Sequence, residues 1–174
     1  MKFDEYTKLH EYIEYASEPD DFVERCHRLK QVCDVSPHFK KFFFEAHKPS
    51  YTFIQVLNEG PMDINCTNNL RTYAYGSDFM AIMDKLAFYA DNSVAKPHIR
   101  YSNLVLELDE VKETDVDLIL CLLRGDVKFE RLNNLVVSEV FPELLQIDVQ
   151  TIESSLVPTK KPRKPRAKKV KVEE

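Results

Sequence analysis

Apolar residues recur along most of this chain at helical spacing, not in the alternation of a strand. Tyr6, Leu9, Tyr12, Ile13 and Ala16 mark a first helix over residues 4–16. Phe22, Cys26, Leu29 and Cys33, with Val32 beside them, mark a second that opens near Pro19, where a missing N–H costs little. Glu24, Arg25, Arg28 and Lys30 point away from that face. Ser36-Pro37 is an N-cap followed by an N1 proline, and it starts a third helix with Phe39, Phe42, Phe43 and Ala46 inward. Residues 51–58 suit a short helix or a strand, and propensity favours the strand. Residues 59–76 hold Gly60, Pro61, Asn65, Asn68, Asn69 and Gly76 and read mostly as loop. Ser77 caps a further helix with Phe79, Ile82, Met83, Leu86 and Ala90 inside. In residues 101–111, Leu104, Leu106 and Leu108 alternate, whereas Leu104, Val105, Leu108 and Val111 fit a helix. Helix is preferred, because a lone strand has nothing to pair with.

The stretch 114–145 organises the rest. Thr114 is an N-cap, and Asp115 and Asp117 sit in the first turn, where carboxylates oppose the positive helix end. Val116 and Leu118 to Leu123 leave this helix apolar nearly all round, so other elements must cover it. Arg124 lies in its last turn and Gly125 just beyond, the residues expected at a helix stop. A second helix begins at Asn133 or Asn134, runs through Val136, Val137, Val140 and Phe141, and ends at Pro142. Beyond it, Ile147, Val149, Ile152 and Leu156 suit a last packing strap. The pattern predicts an all-α, single compact multi-helix domain over 1–158 and a disordered basic tail over 159–174.

Charge changes this picture. The chain carries −5 overall, yet residues 160–174 hold eight Lys or Arg against two Glu, +6, which leaves −11 for residues 1–159. Within the acidic body, Lys40, Lys41 and Lys48 form a basic cluster on one helix. Lys128 and Arg131 flank the helix opening at Asn133 and Asn134, where unpaired N–H groups can hold a phosphate. The acidic pairs Asp20-Asp21 and Asp109-Glu110 read as solvated helix ends. In the tail, Lys160, Lys161, Arg163, Lys164, Arg166, Lys168, Lys169 and Lys171 are each able to pair with a phosphate, and the prolines keep the segment extended. Pro162-Arg163 and Pro165-Arg166 look like minor-groove hooks without the central glycine. A tail of this composition also suits solubility or nuclear targeting.

Enzyme chemistry has no positive signal. Three scattered glycines exclude a nucleotide-binding glycine pattern, and no Lys-x-Asp-Gly motif for nucleotidyl transfer occurs. The five histidines form no HExxH. Cys26, His27, Cys33 and His38 do not make a zinc site, since periodicity buries the cysteines and turns His27 away. Cys26, Cys33, Cys66 and Cys121 show no paired spacing, and core faces predicted for Cys26 and Cys121 favour reduced thiols. No cofactor and no metal is expected. The charged start and the short apolar runs give neither a signal peptide nor a membrane span. A cytoplasmic location is expected, in the host cell if the chain is viral.

With the helices placed, residues 5–145 resemble in pattern and order the N-terminal all-helical DNA-binding domain of ATP-dependent DNA ligases, especially the tailed-phage type. The resemblance rests on Leu122-Leu123-Arg124-Gly125-Asp126, Asn133, Val136-Val137-Ser138-Glu139-Val140 and Phe141-Pro142-Glu143-Leu144, with Ser77-Asp78-Phe79-Met80 matching a helix start of the family. A stand-alone phage protein family of unknown role, with the same ending and a Lys-rich tail, looks closer still. Where the ligase family has Cys-Gly before the N-cap, this chain has Glu130-Arg131-Leu132. The resemblance implies a domain that grips duplex DNA across the minor groove through backbone contacts, without sequence readout. No ligation is implied, since the catalytic domains are missing.

The expectation is thus a non-enzymatic duplex-DNA-binding protein of phage DNA metabolism. Its contacts are Lys40, Lys41, Lys48, Arg124, Lys128, Arg131, Asn133, Asn134 and the tail cations. The rival is an acidic module that docks on a viral or host replication, transcription or packaging protein, with the tail as tether.

Overall fold

The computed structural model describes residues 3, 7–61, 79–111 and 113–145. Ten helical segments and no strand occur among them, which makes the protein all-α there. The expected caps at Ser77, the strap after residue 145 and the basic tail lie outside the described residues.

Local signals place most of the helices. Helix α1 spans Leu9–Ser17 and buries Leu9, Tyr12 and Ala16. Helix α2 spans Phe22–Val35, and its N-cap is Asp21, which accepts from the Glu24 N–H. Pro19 therefore lies in the connection, and Phe22, placed inward by periodicity, is exposed because it opens the first turn. Helix α3, Pro37–His47, is capped by Ser36, whose Oγ accepts from the Phe39 N–H at 3.2 Å, and it buries Phe39, Phe42 and Phe43. Helix α7 spans Pro97–Asp109 and buries Leu104 and Leu108, so the helical reading of 101–111 holds.

Three elements differ from expectation. Residues 54–57 form a single helical turn, α4 (Ile54–Leu57), and no strand. The reason is distant in sequence: the Asp91 carboxylate accepts from the Ile54 and Gln55 N–H groups at 3.0 and 2.9 Å, capping the turn. The helix expected from Ser77 is broken into α5 (Phe79–Asp84) and α6 (Leu86–Tyr89) at Lys85, although Phe79, Ile82, Met83, Leu86 and Ala90 all face the core as predicted. Helix α8 spans Glu113–Arg124, which puts Thr114 inside the first turn and not at the cap.

The apolar helix α8 is covered by α1, α3 and α4. Val116, Ile119, Leu120, Leu122 and Leu123 are buried, and Leu118 and Cys121 are half-buried. It stops as expected. Gly125 adopts φ +74°, its N–H bonds the Leu122 carbonyl at 3.0 Å, and the Asp126 N–H bonds the Cys121 carbonyl at 3.0 Å. These two bonds close a Schellman motif, whose left-handed residue favours glycine. After a polar turn, α9 (Asn134–Val140) is followed by the single turn α10 (Pro142–Leu145). Helix α3 packs against α2, α5, α8 and α10, so its phenylalanines form the aromatic centre of the core.

The first turn of α8 holds the least expected contact. Asp115, read as a first-turn carboxylate opposing the positive end of its own helix, is 1% exposed. It accepts from the Leu9 N–H at 2.8 Å and the His10 N–H at 3.0 Å, so α8 caps the start of α1. The His10 Nδ1 lies 2.7 Å from the same carboxylate. Buried carboxylates need such partners, and here two come from orphan backbone donors.

Candidate nucleic-acid interface

The turn between α8 and α9 is the natural starting place, because it carries Lys128, Arg131 and Asn133. Phe129 anchors it. The ring lies 5.1 Å from Phe43 and 6.3 Å from Phe42, and it stacks on His47 at 5.2 Å with planes 3° apart. The His47 Nδ1 bonds the Phe43 carbonyl at 2.8 Å, and burial holds its pKa below the ordinary imidazole value. The turn is thus pinned to the last turns of α3.

Arg131 does not point at the opening of α9. Its Nη1 donates to the Glu18 carbonyl at 3.1 Å, and its Nη2 to the Pro19 carbonyl at 3.0 Å. Nη2 also lies 2.5 Å from the Asp20 carboxylate. Arg25 returns the contact from α2, donating to the Arg131 carbonyl at 3.2 Å and the Asp20 carbonyl at 2.9 Å. Two arginines therefore clasp the α1–α2 connection to the 126–133 turn. Asn133 is the N-cap of α9, and its side chain accepts from the Leu135 and Val136 N–H groups at 3.2 and 3.4 Å. The donors expected to meet a phosphate there are partly satisfied by the chain itself. Asn134, the first residue of α9, is exposed.

The remaining predicted cations fall in separate places. Lys40 is exposed on α3, its ammonium 5.4 Å from the Phe44 ring centroid and 5.9 Å from that of Phe141. Lys41 is half-buried and donates to the Met83 carbonyl. Lys48 is exposed at the end of α3. It precedes Pro49, which with Glu45, Phe53, Leu122 and Arg124 lines a cavity of about 280 Å³. Lys128 and Arg131 line a groove of about 330 Å³ with Ile13, Ser17 and Leu118. Lys48, Arg124 and Lys128 have no ion-pair partner among the described residues. The tail residues Lys160, Lys161, Arg163, Lys164, Arg166, Lys168, Lys169 and Lys171 lie outside the described residues.

Three other cations of the body are engaged internally. Arg28 bonds the Glu18 and Glu24 carboxylates at 2.5 and 2.9 Å, and Lys85 pairs with Glu107. Arg100 is buried and donates to the Tyr89 and Ala90 carbonyls and to Gln55 Oε1. Among the described residues no group of three His, Cys, Asp or Glu is placed to hold a metal ion. Cys26 and Cys121, expected on core faces, are only half-buried, while Cys33 is buried. All three are free thiols, and burial pushes the Cys33 thiol up to about 12. Among the described residues, no helix is long and apolar enough to cross a membrane. Comparison with family models, with curated proteins and with solved structures finds no match for this chain.

Sequence reading missed Asp20 and Arg25. Asp20 sits in an acidic pair like many helix starts, and nothing local distinguishes it from Asp21, the true cap. Pro19 was the available signal, because a proline between two helices marks a connection whose carbonyls need partners.

Proposed function

We propose that the protein binds duplex DNA non-enzymatically, through backbone phosphates and without sequence readout, with residues 159–174 as the main contact. The observation that carries this is the segregation of charge: +6 in residues 160–174 against −11 in residues 1–159. Six of the body's cations, Arg25, Arg28, Lys41, Lys85, Arg100 and Arg131, bond carbonyls or carboxylates of the fold. The ten remaining Lys and Arg of residues 1–159 sit among 27 Asp and Glu, so the tail is the segment with a net positive charge to offer a phosphate. Lys48, Arg124 and Lys128 supply secondary contacts. The ligase-like reading, with its minor-groove grip and its place in phage DNA metabolism, belongs to this proposal. The Arg131 contacts count against a grip centred on the opening of α9.

Deleting residues 159–174 tests the proposal by the salt dependence of duplex binding. With about six cations neutralising phosphates, the log–log slope falls by roughly five on deletion, since each contact contributes about 0.9. An unchanged slope overturns the tail as the electrostatic contact. A second reading, an acidic module docking on a replication, transcription or packaging protein, is favoured by the same engagement of the body's cations. It takes over if the full chain retains no duplex affinity at low salt.

A further inference from the structure

The Arg131 guanidinium is oriented by neutral groups and neutralised by a replaceable one. The Glu18 and Pro19 carbonyls fix its direction at 3.1 and 3.0 Å without cancelling its charge. Arg25 holds the backbone on both sides, through the Arg131 and Asp20 carbonyls, and its own buried Nε has no partner. Among the described residues the Asp20 carboxylate is the one ion-pair partner of Arg131, with Glu130 lining the same groove, and the Asp20 side chain is 100% exposed. Nothing among the described residues buries it, so the ion pair is a surface pair in water, weak and readily exchanged. The main chain of the clasp is fixed while this one carboxylate is free to leave.

We infer that Asp20 is an autoinhibitory competitor, occupying on Arg131 the place a DNA backbone phosphate takes. The inference rests on the DNA-binding reading above and assigns to it a site on the body. A phosphate oxygen accepts from a guanidinium in the same planar geometry as a carboxylate oxygen, so the two exclude each other. Lys128 on the same groove provides a second cation, with no ion-pair partner among the described residues. The competition makes the body site weak for free DNA and useful for DNA the tail already holds, whose local concentration is high. Exchange of Asp20 for phosphate then converts a tethered duplex into an oriented one.

The test measures duplex binding of the full chain at low salt for wild type, Asp20→Ala, Arg131→Gln, the double variant and the charge control Glu59→Gln. Removing an exposed competitor strengthens binding about 2–5-fold, the range of a surface ion pair. The gain disappears in the double variant and is absent in Glu59→Gln, while Asp20→Asn, which keeps an acceptor without the charge, falls between. Asp20→Ala melts with the wild type, since its side chain is fully exposed and bonds Arg131 across a surface ion pair. Unchanged affinity in Asp20→Ala overturns the inference, as does a gain that persists without Arg131 or is matched by Glu59→Gln. If the full chain binds no duplex at all, the DNA reading falls and this inference with it. If it binds and only the Asp20 effect is missing, the inference alone falls.

Discussion

Replacing Asp115 with alanine removes the carboxylate that joins α8 to the start of α1. Three contacts go at once: the Leu9 and His10 N–H groups at 2.8 and 3.0 Å, and His10 Nδ1 at 2.7 Å. Leu9 is fully buried, so its N–H finds no water in exchange. Loss of an N-cap costs about 1 kcal/mol, and each buried donor left unsatisfied about 1–3 kcal/mol. These contributions overlap, and a total of about 3–4 kcal/mol is expected, a large share of the roughly 5–15 kcal/mol that holds a domain folded. For a chain of this size 1 kcal/mol moves Tm by about 2–4 °C, so a fall of about 6–16 °C should appear in a thermal melt followed by circular dichroism. Asp117→Ala is the control. Asp117 is exposed two residues along the same helix, and its loss should stay within about 0.5 kcal/mol. Equal melting of the two variants would refute the claim that α8 caps α1.

Two further outcomes follow from buried groups. An unfolded imidazole titrates near 6.5, and burial holds His47 below that value. As pH falls through 6.5 the unfolded chain takes up the proton first, so stability present above that pH is lost on the acid side. His47→Phe should shallow this acid-side slope in urea denaturation measured across the window, and an unaltered slope would place His47 in water. Arg100→Lys keeps the charge but loses the fork that serves the Tyr89 carbonyl, the Ala90 carbonyl and Gln55 Oε1. A loss of about 2–3 kcal/mol is expected, and full retention of stability would show that charge, not geometry, matters there.

Periodicity places α2, α3, α7, α8 and α9 and most of their core faces, because a helix is made of contacts three and four residues apart; it misplaces Phe22, which is exposed, and the caps of α2 and α8. Ser36-Pro37, Asn133 and Gly125 act within one turn of themselves, and each does in the fold what its local chemistry requires. The candidate phosphate contacts were legible only as charges. Sequence shows that Lys41 and Arg131 are cations; it does not show that one bonds Met83 and the other Asp20, 111 residues away. The same holds for Asp115 on α1 and Asp91 on α4, polar side chains that satisfy backbone donors across 106 and 37 residues. Residue 51–58 propensity for strand lost to that Asp91 cap, and Asp115, read as serving the start of its own helix, answers the need of α1 for an acceptor. A helix end leaves donors that something must satisfy, but which side chain arrives is decided only when the helices pack, since orphan groups carry no record in sequence of their distant partners.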